Sequence, residues 1–109
     1  MSIYRQRRCQ VIATSIADTA LIAAVAGKKL RVMGGVISAT GGANNISIDN
    51  DSDESIILDL NLAANQIIIF PFHNNWEMGY FTGKTDSGLE VAMSAATAVH
   101  IALVAYAVN

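Results

Sequence analysis

Charge is what this chain has least of. Only 15% of its 109 residues are Asp, Glu, Lys or Arg, where about 25% is usual for a soluble domain. Hydrophobic residues make up 52%. Either the fold buries an unusual share of itself or partners cover part of its surface. A basic surplus is also missing: 7 Lys and Arg stand against 9 Asp and Glu, for a formal net charge of −2. That balance excludes the electrostatic footprint of a nucleic-acid binder. Cysteine occurs once, as Cys9, which excludes an intramolecular disulfide and any Cys/His metal spacing. A lone thiol of this kind reads as a small buried hydrophobe.

Catalytic signatures are equally scarce. The only histidines are His73 and His100, and Ser-His-Asp chemistry needs a base held against a nucleophile. His100 sits in an apolar strand pattern and reads as a packed or interface residue. The pairs Gly34-Gly35 and Gly41-Gly42 lack the spacing and the lysine of a phosphate loop. No two carboxylates stand out as a glycoside-hydrolysing pair. The expectation is a protein that is not an enzyme, with no catalytic residues, no cofactor and no metal.

Two stretches imitate membrane or export segments. Basic residues precede an apolar run, and Ala24-Val25-Ala26 resembles a cleavage site. Gln10, Thr14, Ser15, Asp18 and Thr19 interrupt that run. Residues 89–108 are apolar enough to suggest a spanning helix, yet Glu90, Ser94, Thr97 and His100 lie inside. The β-branched Val99, Ile101, Val104 and Val108 favour strand there. No membrane contact is expected.

What the chain does have is a succession of short apolar runs separated by turn signals, the pattern of a sandwich or barrel. Strands are predicted over 9–16, 19–25, 30–38, 45–49, 56–62, 66–72, 76–82, 89–94 and 99–108. In 30–38, Leu30, Val32 and Val36 share one face, while Arg31, Met33 and Ile37 share the other. In 56–62, the core face holds Ile56, Leu58, Leu60 and Leu62; Asp59, Asn61 and, exceptionally, Ile57 point out. Pro71 cannot donate to a ladder, so its strand ends there or lies at an edge. The runs 66–72 and 99–108 are apolar on both faces. Strands of that kind are covered on both sides; in a one-domain chain another subunit is the first candidate for the second cover, and a closed internal core is the alternative. The reading is an all-β, antiparallel, jelly-roll-like sandwich of eight to nine short strands over residues 9–109, preceded by a basic arm over 1–8.

Charge is polarised along the chain. Arg5, Arg7 and Arg8 cluster at the start, and Asp49, Asp51, Asp53 and Glu54 cluster mid-chain. With Tyr4, the arginines suit docking on an acidic surface, because arginine pairs bidentately with carboxylates. The acidic run opens with calcium-loop spacing. Glu54 and Leu60 occupy the sixth and twelfth positions, where glycine and glutamate are required, so a solvated acidic turn is the simpler reading. His73, Trp76 and Tyr80 form a small ring-bearing group suited to stacking on a sugar or receptor.

Three stretches carry a resemblance to a known family. They are residues 21–34 (LIAAVAGKKLRVMG), residues 60–65 (LNLAAN) leading into the Trp76 segment, and residues 89–108 around Ser94-Ala95-Ala96-Thr97-Ala98-Val99. In these the chain resembles the small jelly-roll decoration, or cement, proteins of tailed bacteriophages and related virion modules. The resemblance implies a virion structural protein on the capsid surface, made in the host cytoplasm. It implies a homo-oligomer, a trimer ahead of a dimer, seated on the major capsid protein. The alternative it leaves open is a receptor- or carbohydrate-binding module at a tail-fibre or head-fibre tip.

Overall fold

Alternation of apolar and polar side chains draws the strands, because a pleated backbone turns successive residues to opposite faces. The computed structural model describes residues 6–73, 75 and 77–109. Among these, nine strands form: β1 (Gln6–Ala13), β2 (Thr19–Ile22), β3 (Lys29–Ser38), β4 (Asn44–Asn50), β5 (Ile56–Leu62), β6 (Ile67–Phe70), β7 (Phe81–Thr82), β8 (Leu89–Met93) and β9 (Val99–Val108). All pair antiparallel. The first sheet has the order β1-β9-β3-β6, with β7 also on β3; the second has the order β2-β8-β4-β5. The chain passes back and forth between the sheets, with only β4-β5 and β6-β7 staying within one. That is a jelly-roll order.

The core lies between the sheets. Leu30, Val32, Ile37, Val99, Ile101 and Leu103 from the first meet Ile46, Ile48, Leu62, Leu89 and Val91 from the second, all buried to 1% exposure or less. The lone thiol of Cys9 is half-buried against this core, and burial pushes it up from its ordinary value.

Two bulges alter the facing expected from simple alternation. In β3 the register with β9 slips between Val32 and Gly34, so Met33 is an inserted, fully buried residue. Beyond it the sides exchange: Ile37 enters the core, and Val36, expected to share the face of Leu30 and Val32, turns outward. The register of β4 with β5 slips between Ile48 and Asp49. Ile56, expected in the core, is therefore 63% exposed, while Ile57 packs against the core.

The N-terminal boundary also moves. Gln6, Arg7 and Arg8, read as part of a loose arm, pair with Tyr106, Ala105 and Val104 of β9. They begin the edge strand of the first sheet, where the outward Gln6 and Arg8 discourage pairing with foreign strands. Pro71 does fall just past β6, an edge strand. The predicted strand over 76–82 shrinks to Phe81–Thr82.

Candidate interaction surface

The outer side of the first sheet is where the molecule is least finished. Cross-strand register places Ile12, His100, Ser38 and Ile67 in one row, and Gln10, Ala102, Val36 and Ile69 in the next. A third row holds Arg8, Val104 and Gly34. The middle of this surface carries Ala102, Val36, Ser38 and Gly34 together with His100, and larger apolar side chains stand at its margins. Ile12 is 57% exposed on one edge, with Ile67 at 61%, Ile69 at 68% and Phe72 at 55% toward the other. The result is a trough, continuous with two shallow depressions of about 480 and 490 Å³ that share Gln10, Val36 and Ala102.

Phe72 is fixed at the trough's side. Its ring meets Tyr106 edge-on at 6.4 Å, and its backbone lies so close to Gly34 that a Cβ there would sit 3.0 Å from Phe72 Cα. The segment after β6 is held against the β3 bulge: His73 N donates to Met33 O at 2.7 Å and Tyr80 N to Val32 O at 2.9 Å. A sequence reading of β9 as apolar on both sides identifies half of this surface. The other half comes from the β3 bulge, which alternation alone does not reveal.

The predicted docking residues divide. Tyr4 and Arg5 lie outside the described residues. Arg8 is exposed on the outer face beside the trough, and its guanidinium donates to Gln6 Oε1 at 3.0 and 3.2 Å. Arg7 points to the opposite side of β1 and is half-buried. His100 is exposed on the outer face opposite Ile12 and Ser38.

The proposed ring-bearing group is partly assembled. His73 and Tyr80 meet edge to face at 5.7 Å, Tyr80 also meets Phe70 at 5.3 Å, and its hydroxyl donates to Pro71 O. Trp76 lies outside the described residues. His73 and Tyr80 thus serve first to close the loop over the end of β6.

The acidic run does not form one turn-like cluster. Asp51 accepts from Gly88 N at 2.8 Å and from Ser87 Oγ at 3.3 Å. Asp53 pairs with Lys84 and accepts from Ser55 N and Oγ. The Lys84 ammonium, with Ser55, holds the Asp53 carboxyl well below the usual range. Asp49 and Glu54 turn elsewhere, toward Asp18 and Glu90 on the outer side of the second sheet. Burial, and then the charges of Asp18 and Asp59, push Asp49 up, against an opposing hydrogen bond from Ser47. A hydrogen bond with Asp18 pushes Glu54 up, and burial does the same to Glu90, helped by the neighbouring carboxylates.

Compared with protein-family models, with curated proteins and with solved structures, the chain matches none.

Proposed function

We propose that this chain is a virion structural protein that works by assembly: a homo-oligomer joined through the outer face of the first sheet and seated on shell subunits. The observation that carries the reading is the apolar trough bounded by Ile12, Ile67, Ile69 and Phe72. Soluble monomers seldom leave so many large apolar side chains together in water.

Magnitudes point to another copy as the partner across this face. Burying the exposed parts of these four side chains contributes about 1–2 kcal/mol each. One face against a polar partner therefore gains roughly 4–8 kcal/mol, at the low end of the ~4–15 kcal/mol that association costs. Two such faces together gain twice as much, about 8–16 kcal/mol, which covers far more of that cost. A surface that meets its own copy also needs no second apolar patch elsewhere on the chain.

Arg7, half-buried on the side of β1 away from the trough, supplies a basic contact with an acidic shell subunit, in line with the polarised charge of the chain, while Arg8 lies beside the face that meets the other copy. An oligomer that touches several shell subunits at once gains effective concentration from each link. Such a module braces a shell without any chemistry.

The test is Ile69→Lys combined with Ile12→Lys. Both side chains are more than half exposed, so the folded monomer should lose no more than about 0.5 kcal/mol per site. The unmodified chain should elute as an oligomer and the double variant as a monomer of 11.5 kDa, with the same circular-dichroism spectrum. An oligomer that survives both lysines removes this face from the assembly. Absence of the chain from purified virions of its source sinks the virion role, and glycan binding by the monomer would then favour a fibre-tip module.

A further inference from the structure

We propose that Asp18, Glu54 and Glu90, backed by Asp49, form a divalent-cation site on the outer side of the second sheet, with Ca²⁺ as its fitting ion. The residues come from four places in the chain: Asp18 from the β1–β2 loop, Asp49 from β4, Glu54 from the β4–β5 loop and Glu90 from β8. Each of Asp18, Glu54 and Glu90 offers a carboxylate oxygen, and these oxygens all lie within 4.8 Å of one another. Oxygens 2.3–2.6 Å from one calcium ion are separated by no more than about twice that distance. The spacing therefore suits a shared ion.

A second observation is independent of that clustering. Asp49 is only 5% exposed, although it sits on the outward side of its strand. It stands directly across from Glu90 in the β4–β8 ladder. Asp49 Oδ1 and Glu90 Oε1 are both buried with no hydrogen-bond partner. Folded proteins rarely leave a buried carboxylate oxygen unpaired, and each such atom carries the full cost of its lost hydration. Two such atoms on residues that face each other across the ladder, one of them on Glu90 of the cluster, call for a positive charge. Lys84 does not supply it, being paired with Asp53. Among the described residues no ion pair reaches Asp18, Asp49, Glu54 or Glu90.

The donors select the class of ion. Three carboxylates within reach of one another, with no thiolate or imidazole, are hard oxygen ligands, which suit Ca²⁺, Mg²⁺ or Mn²⁺ rather than zinc or copper. Mg²⁺ demands a near-ideal octahedron and sheds water reluctantly, whereas Ca²⁺ accepts six to eight oxygens in irregular arrangements. A site assembled from two loops and two strands, open to water on the side of Asp18 and Glu54, fits Ca²⁺ better. The bound ion would tie the β1–β2 and β4–β5 loops to the second sheet.

The experiment is thermal unfolding of the full chain at pH 7.5, first with chelator and then with CaCl₂ or MgCl₂ up to 10 mM. For a dissociation constant of about 10⁻⁴–10⁻³ M, 10 mM Ca²⁺ should raise Tm by roughly 5 °C or more. The same concentration of Mg²⁺ should do less, and calorimetry should find one ion per chain. Glu90→Gln should raise the Tm of the metal-free protein, because one repelling charge is gone, and should abolish the calcium shift. These opposite signs are not expected of a merely structural glutamate. Asp18→Asn serves the same purpose should Glu90→Gln fail to fold, and Asp59→Asn, outside the cluster, should keep the shift. Running the series on the Ile69→Lys, Ile12→Lys chain separates this site from assembly. No calcium shift, or a shift that persists in both Glu90→Gln and Asp18→Asn, overturns the proposal.

Discussion

Gly35→Ala should leave little folded protein. Gly35 follows the β3 bulge with φ +152°, a backbone conformation that side-chain-bearing residues rarely adopt. A Cβ there would lie 2.1 Å from Ala102 O and 2.9 Å from Leu103 Cα. Those are main-chain atoms of β9, the strand that β3 pairs with along almost its whole length. Relief requires the two central strands of the first sheet to part, and no flexible side chain can absorb the overlap. The expected cost exceeds about 4 kcal/mol, a large share of the ~5–15 kcal/mol that keeps a domain folded.

Gly27→Ala provides the comparison. Gly27 has φ +72° but nothing within 4 Å of its Cβ position, so only the left-handed strain of about 1–2 kcal/mol applies. Urea titrations of both variants measure the contrast. If Gly35→Ala unfolds at nearly the same urea concentration as the unmodified chain, the β3–β9 geometry described here is wrong, and with it the floor of the trough.

The second large effect is expected at Asn44, a buried side chain at the start of β4 with 3% exposure. Its amide nitrogen donates to Ala95 O at 2.8 Å and Thr97 Oγ1 at 3.0 Å. Its amide oxygen accepts from Ser94 N and Ala95 N, both at 3.2 Å. One asparagine thus organises the connection from β8 to β9. Asn44→Ala leaves a donor and an acceptor of that turn unpaired at once. Each orphaned buried group costs about 1–3 kcal/mol, so a loss of roughly 3 kcal/mol is expected. Asn44→Asp keeps the acceptor for Ser94 and Ala95 but turns a buried carboxylate oxygen on Ala95 O, so its loss should be at least as large at neutral pH. A clearly smaller loss for either variant in chemical denaturation would mean that the turn does not depend on the amide nitrogen.

Much of the sandwich is legible in the residues, for a specific reason. Strand β5 runs over Ile56–Leu62 and β9 over Val99–Val108, as alternation predicts, because their side chains from Leu58 and from Val99 onward report burial directly. A bulge defeats this logic, since one inserted residue reverses the facing of everything after it. Its signals were present: Gly34-Gly35 inside β3 and the adjacent Ile56-Ile57 in β5. The first strand was masked differently. Arginines at 7 and 8 look like a solvated tail, yet an edge strand tolerates them.

The acidic surface shows the limit most plainly. Asp49, Asp51, Asp53 and Glu54 are neighbours in sequence but serve separate ends. Asp51 binds the turn before β8 and Asp53 binds Lys84. Asp49 and Glu54 join Asp18 and Glu90, which only the topology of the second sheet brings near. The available hint was Glu90, a charged residue in an otherwise apolar strand. The trough was half-visible for the same reason: β9 declares its outer side chains, but Ile12, Ile67 and Ile69 reach that surface only through strand order.

The two outer faces therefore suit different uses. The first sheet presents apolar side chains beside Arg8 and fits contact between copies. The second presents Asp18, Glu54, Asp59 and Glu90 and fits a cation and water. The central claim is that the first of these faces is closed by another copy of the chain. Light scattering after size exclusion, run on the unmodified protein at two concentrations, tests it most directly. A mass of twice 11.5 kDa that holds at both concentrations is the predicted result, because a face that meets the same face of its copy closes as a pair; three times that mass would require the trough to meet a different patch. A mass of one chain at both concentrations would contradict the account, leaving the trough bounded by Ile12, Ile67, Ile69 and Phe72 open to water.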